Sequence, residues 1–420
     1  MLSIVAGAAA GLIAGAFRLL LERGAELRDG LLRWAHDQPV VGLPAVFALA
    51  AGATALAAWL VRRVEPRAAG SGIPDVEAVV AGEVPPESAS LIPVKFIGGL
   101  LALGAGLALG REGPSVEMGG VAARLLGTAT RRNWRDLRAL IAAGAGAGLA
   151  TAFGAPLAGV VFVLEELVRR FELRIAIAGL GASAGAISVA DLMLGSQPDF
   201  LVAPIAKLPW TQLGPFFVLG VVAGVAGVAY NRLIMACLGL SERWQRVPVE
   251  LRAGAVGVLV TAIAWWWPQL VGGGDPLAQT LLNGEYAFSA VLLILGIRFF
   301  LGPISYAANT PGGLFAPILV LGAGLGLAVG VPWQTAFGAA APPPVALAVV
   351  GMSAFFAAVV RSPLTGIVLV TEMTASASLF VPMLVANLLA VLVPSVVNNP
   401  PIYDSLRERA TRLRSSVCPH

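Results

Sequence analysis

Glu112 stands in the string Gly110-Arg111-Glu112-Gly113-Pro114, and from Phe96 to Gly127 the only ionised side chains are Arg111, Glu112, Glu117 and Arg124. A charged side chain held in hydrocarbon costs about 2.5–3.5 kcal/mol on insertion scales, so its retention argues for a use. The residues after it suggest one. Proline suits the first position of a helix, because its missing N–H had no intrahelical partner, and a preceding glycine lets the chain turn sharply into it. Gly70-Ser71-Gly72-Ile73-Pro74 and Gly313-Leu314-Phe315-Ala316-Pro317 have the same form. Each predicts a helix start with free amides, an end that carries about half a positive charge and attracts anions. Three such ends meeting at mid-membrane would replace the water around an anion without a full cation, which favours binding weak enough for release. Glu112 could then fill the anion's place when ionised and leave it when protonated. The competing structural reading is an Arg111–Glu112 ion pair at an interface.

Other site chemistry is thin. The two cysteines, Cys237 and Cys418, make no disulfide framework or metal cluster, and the two histidines, His36 and His420, lie outside the apolar stretches. No metal and no cofactor is expected. An intramembrane protease would need a Ser/His pair or two embedded aspartates, whereas Asp75, Asp136, Asp191 and Asp275 fall near segment ends. The chain does not read as an enzyme. A carrier of organic anions stays open on the residues alone, although its site should show more side-chain donors than Ser71 and Tyr403 offer.

The elements that must position these residues are membrane helices. Of 420 residues, 57% are hydrophobic and 12% charged, against about 25% charged in soluble domains. A bilayer core needs about 20 apolar residues per crossing, and ten or more such stretches recur from Ile4 to Val397. The 50 glycines and 29 prolines interrupt many of them. Broken helices are tolerated only where protein or a water-filled cavity replaces the lost backbone partners, so the breaks point to a transport path.

The chain repeats itself. Residues 144–165, GAGAGLATAFGAPLAGVVFVLE, align without gaps on residues 351–372, GMSAFFAAVVRSPLTGIVLVTE, with Pro156/Pro363 and Glu165/Glu372 the most telling pairs. With the offset shortened by four residues, Gly110–Pro114 falls on Gly313–Pro317 and Lys95-Phe96 on Arg298-Phe299. Paired interruptions in corresponding halves are the best sequence pointer to a transporter site. Arginine clusters at 61–67, 131–138, 169–174 and 406–414 predict cytoplasmic loops, and they argue against nucleic-acid binding. Residues 196–210 carry only Asp199 and Lys207 and predict an extracytoplasmic linker. Halves at 1–195 and 211–405 would then be inverted repeats, with a short basic cytoplasmic tail at 406–420 and both termini inside. No cleavable signal is evident.

GSGIP, GREGP, GGLFAP and the late Tyr403, in that order over residues 70–403, resemble the CLC family of chloride channels and chloride/proton exchangers. The resemblance implies an all-α integral membrane fold of broken, tilted helices, and a homodimer in the lipid bilayer, here the bacterial inner membrane, with one path per subunit. By that resemblance chloride is held by the Ser71 hydroxyl, the Tyr403 phenol and the amides of Leu314 and Phe315, with Gly72, Ile73, Arg111, Gly113 and Ala316 around it. Glu112 is the external gating glutamate, and Glu166 in the Leu164–Leu167 string LEEL is the internal proton glutamate, with Glu165 beside it. Without the resemblance that pair reads equally as an interfacial helix end. The family pattern implies chloride/proton antiport, with a passive chloride channel as the alternative. Serine at Ser71 favours chloride over nitrate, and Ser71 with Phe315 argues against a fluoride-selective relative. One departure is Glu117, where glutamine is expected: it either alters the proton route or is a neutralised structural group, paired with Arg124. Lys95 matches a buried basic residue of the family and could supply positive potential.

Overall fold

The computed structural model describes residues 1–244, 246–285 and 287–417, with side chains described as far as Arg412; Cys418 and His420 lie outside the described residues. Before the linker come α1 (Leu2–Asp37), α2 (Pro39–Arg63), α3 (Ile73–Ala81), α4 (Leu91–Gly104), α5 (Glu112–Ala129), α6 (Trp134–Phe153), α7 (Pro156–Phe162) and α8 (Leu173–Leu194). After it come α9 (Gly214–Arg243), α10 (Val249–Trp266), α11 (Asp275–Leu282), α12 (Phe288–Tyr306), α13 (Phe315–Phe337), α14 (Pro344–Val360), α15 (Pro363–Thr374), α16 (Phe380–Val396) and α17 (Ile402–Val417). Among the described residues the chain has no sheet, and eight helices are long and apolar enough to cross a bilayer. Shorter apolar helices, α4, α14 and α15, supply the remaining apolar stretches. The α14 helix is buried at every residue from Ala346 to Val360, so protein rather than lipid surrounds a helix too short for an easy crossing.

The repeat seen in the sequence is a repeat of contacts. A Cβ on Gly119 of α5 would lie 2.4 Å from the Gly144 carbonyl of α6, and a Cβ on Gly322 of α13 would lie 2.4 Å from the Gly351 carbonyl of α14. Both pairs are helices brought backbone to backbone at small residues, as membrane interfaces favour. The two halves also grip each other reciprocally. Glu165 accepts the Leu364 and Thr365 amides at 3.0 and 2.6 Å at the start of α15. Glu372 accepts the Leu157 and Ala158 amides at 3.0 and 2.8 Å at the start of α7. Each carboxylate therefore caps the helix that leads to its own repeat mate, as a two-fold relation between the halves requires.

The arginine-rich segments 131–138, 169–174 and 406–414 are linked by ion pairs: Arg138 pairs with Glu172 at 3.1 Å, Arg169 with Asp404, and Arg407 and Arg169 both with Glu77, at 2.8 and 3.1 Å. The linker docks elsewhere. Its Asp199 pairs with Arg18 at 2.8 Å and Arg111 at 3.5 Å, and Gln279 of α11 exchanges two hydrogen bonds with the Leu201 backbone. The basic tail drawn from residue 406 is the continuation of α17, which runs unbroken across that boundary.

Candidate anion site

The three Gly/Pro helix starts meet. Gly110 and Gly313 exchange backbone hydrogen bonds of 2.8 and 2.7 Å, while Gly70 donates to Thr310 at 3.0 Å and accepts from Gly312 at 3.1 Å. Three loops that enter α3, α5 and α13 are thus stitched together by their own main chains. Only glycine permits this approach at Gly113, where a Cβ would lie 2.4 Å from Ser71 Oγ and 2.6 Å from the Ser71 carbonyl. At Gly72 the backbone is left-handed, with φ +80°, which turns the chain into α3 without a steric cost.

Glu112 lies on this junction with no exposed surface, and its Oε2 accepts the Ala316 N–H at 3.5 Å. Ala316 is in the first turn of α13, so the carboxylate occupies the position that orphan amides and the helix dipole make favourable for a negative charge. Arg111 turns away from it, donating to the Ala152 carbonyl at 3.1 Å and to Asp275 at 2.9 Å. The interfacial Arg111–Glu112 pair is therefore not the arrangement adopted. Outward from Glu112 opens a vestibule of about 560 Å³ lined by Arg18, Arg28, Arg111, Asp199 and Asp275.

Inward, Ser71 and Tyr403 approach each other, both fully buried, and neither hydroxyl has a hydrogen-bond partner of good geometry. The Ser71 N–H donates to the Tyr306 phenol at 3.3 Å. Phe315, at the start of α13, stacks its ring among Phe162, Phe356 and Tyr403, with centroids 5.8, 4.7 and 5.9 Å away. Ile73 is buried at the start of α3, and Leu314 and Ala316 at the start of α13. Buried hydroxyls without a well-aligned partner, set at the joined helix starts, are what an anion would satisfy, so the residues fit the ion the sequence suggested.

Glu166 lies apart from that cluster. Residues Val163–Leu167 form a π-helical turn at the end of α7, and such turns re-aim side chains at functional sites. The turn sends Glu165 to α15 and Glu166 inward, where it is 3% exposed and accepts a hydrogen bond from Ser362. Arg169 comes within 3.7 Å of Glu166 and 3.1 Å of Glu77. Ser362, Tyr306 and the Arg169–Glu77–Arg407 network went unread in the sequence, since each joins residues distant along the chain.

Glu117 requires a correction. Its partner is not Arg124 but Lys95 of α4, with both side chains wholly buried. Residues 117 and 124 lie two turns apart on α5, about 10 Å of rise, too far for a direct pair.

The model of the voltage gated chloride channel family matches residues 53–395. The chain belongs to that family. Over 420 residues it is 36% identical to the H(+)/Cl(-) exchange transporter ClcA of Vibrio cholerae serotype O1, covering 98% of this chain and 89% of the relative. The corresponding ClcA of Citrobacter koseri is 34% identical over 412 residues, 96% of this chain and 87% of that one. Among solved structures, a slow cyanobacterial Cl-/H+ antiporter superposes with a TM-score of 0.93 at 32% identity, covering 97% of both chains. A CLC-type fluoride/proton antiporter shares the fold, with a TM-score of 0.78 at 22% identity over 93% of each chain. The all-helical architecture with short, broken apolar helices is thus that of the voltage gated chloride channel family.

Proposed function

We propose that this chain exchanges chloride for protons across a bacterial inner membrane. In this reading it works as a homodimer with one path per subunit, with halves 1–195 and 211–405 in opposite orientation, the linker 196–210 outside and both termini inside. Chloride is bound by the Ser71 and Tyr403 hydroxyls and by the amides of Leu314 and Phe315, at the mouths of α3, α5 and α13. The observation that carries the reading is the Glu112 carboxylate set against the Ala316 amide in the first turn of α13, where an anion would also sit. An ionised Glu112 and an outer chloride exclude each other because they satisfy the same donors; a protonated Glu112 gives up that attraction and admits the ion. Glu166, turned inward by the π-helical turn and held by Ser362, delivers the proton from the cytoplasmic side. The ClcA relatives and the cyanobacterial antiporter support antiport over passive conduction, as does a carboxylate at both positions. The arginine clusters at 131–138, 169–174 and 406–414, and the Asp199-bearing linker that pairs with Arg18 and Arg111 instead, support the sidedness.

The test is purified protein in liposomes with an imposed chloride gradient. Wild type is expected to drive protons uphill, and Glu112→Gln to pass chloride without moving protons. Chloride flux with no pH change in wild type would refute exchange, and coupled transport by Glu112→Gln would refute its gating role.

A further inference from the structure

The molecule builds the same basic pocket twice and finishes it differently. In the first half, a Cβ on Gly72 would meet Glu117 Oε2 at 2.0 Å and Lys95 Nζ at 2.8 Å. In the second, a Cβ on Gly274 would meet Arg298 Nη2 at 2.4 Å and Val320 Cγ2 at 2.7 Å. Gly274 follows the register of Gly72, Arg298 that of Lys95, and Val320 that of Glu117. Both glycines are left-handed N-caps, of α3 and α11. Arg298 donates to three carbonyls, those of Leu270, Gly272 and Gly273, at 3.1, 2.7 and 2.7 Å. Its charge is thereby held by the main chain, and the mate of Glu117 is an inert valine. Lys95 has no hydrogen-bond acceptor of good geometry, and among the described residues its ion-pair partner is Glu117. Among the described residues, the carboxylate in ion-pair contact with one of these two buried cations is Glu117, in the half that carries Ser71.

We infer that Glu117 is a second proton site tied to the anion, one that takes up a proton when chloride enters the α3–α5–α13 cradle. This rests on the chloride reading above. A buried cation needs a counter-charge. With the cradle free, ionised Glu117 supplies it from directly behind Gly72. Chloride beside Ser71, the neighbouring residue, brings a second negative charge to the same cation and repels the carboxylate. Protonated, Glu117 releases the Lys95 charge to the ion. Chloride and a proton at Glu117 therefore promote each other's binding by the same factor, whereas Glu112 and chloride compete. The other charged groups facing Glu117 are Asp75 of α3 and Glu87 of the α3–α4 connection. Arg67 pairs with Glu87 at 2.8 Å and lies 4.0 Å from Asp75, and the Tyr306 phenol of α12 borders the same loop.

The experiment measures chloride binding by calorimetry in detergent, in the Glu112→Gln background so that Glu112 itself does not titrate. From about pH 6 to about pH 10, affinity in Glu112→Gln is expected to fall roughly tenfold, the scale of two charges roughly 10 Å apart in a protein interior. Adding Glu117→Gln should remove most of that fall and leave affinity at its acid-side value. In weak buffer, chloride should raise the solution pH for the first variant and not for the second. Should Glu117→Gln fail to fold beside an unpaired Lys95, the Lys95→Met/Glu117→Gln pair in the same background removes both charges, and its affinity should be weak and pH-independent. An equal fall with pH with and without Glu117 overturns this inference and leaves chloride exchange standing. Chloride that binds no variant overturns both.

Discussion

Substituting alanine at Gly113 would force apart the helix starts on which the anion site depends. The added methyl would lie 2.6 Å from the Ser71 carbonyl oxygen and 2.9 Å from Ser71 Cα, both main-chain atoms that cannot swing aside. Ordinary contact begins at 3.4 Å, so α3 and α5 must separate by about 0.8 Å. Overpacking of this kind costs about 1–3 kcal/mol of stability. The same displacement pulls the Ser71 hydroxyl and the α3 amides off the ion, and a loss of about 1.4 kcal/mol there is a tenfold weaker affinity. Calorimetric chloride titration, with a thermal melt of the same sample, measures both effects. Gly30→Ala is the control: it adds a methyl to α1 with no atom within 4 Å, and should leave chloride affinity unchanged and melting unchanged or slightly raised, since alanine is the better helix former. Wild-type affinity and melting in Gly113→Ala would show that these starts do not touch, and the anion cradle would fall with them.

Glu165→Gln and Glu372→Gln should each lower stability by about 1 kcal/mol in thermal melts, because they remove corresponding caps, with the larger loss at Glu165, which also accepts the Thr365 hydroxyl at 2.7 Å. A large effect from one and none from the other would contradict the reciprocal arrangement. Ser362→Ala should slow proton movement more than chloride movement in liposomes, since it frees Glu166 from its donor without touching the α13 amides; equal slowing of both would remove Ser362 from the proton route. Burial raises the pKa of Asp199 in the linker, opposed by Arg111 and Arg18. A carboxyl whose pKa is raised on docking gains a proton on docking, so linker docking strengthens as pH falls from neutrality through that raised value. Limited proteolysis of residues 196–210 should accordingly be slower in acid than at neutrality, and Asp199→Asn should abolish the difference.

Much of this site could be read from the chain because it is written in backbone chemistry. Gly-x-x-x-Pro strings specify helix starts locally, and three of them were enough to predict the convergence that Gly110, Gly313 and Gly70 then make with their main chains. A fourth start, Gly272-Gly273-Gly274-Asp275-Pro276 before α11, was missed although it has the same form. Its offset from Gly70–Pro74 is one residue short of the neighbouring repeat, and that slip hid it. What could not be read were contacts between helices far apart in sequence. Lys95 reaches Glu117 only because α4 packs on α5, and Glu165 reaches α15 only once the halves fold against each other. Glu166 differs from Glu165 by one residue, and the π-helical turn that parts their directions leaves no mark in hydrophobic period.

Bromide is an anomalous scatterer that follows chloride, and diffraction from crystals soaked in it reads the cradle directly. A bromide peak is expected between the Ser71 and Tyr403 hydroxyls and the Leu314 and Phe315 amides in wild type, with a second peak over the Ala316 amide only once Glu112→Gln has given up that place. Crystals of either protein with no bromide at the joined starts of α3, α5 and α13 would contradict an anion site made from helix ends.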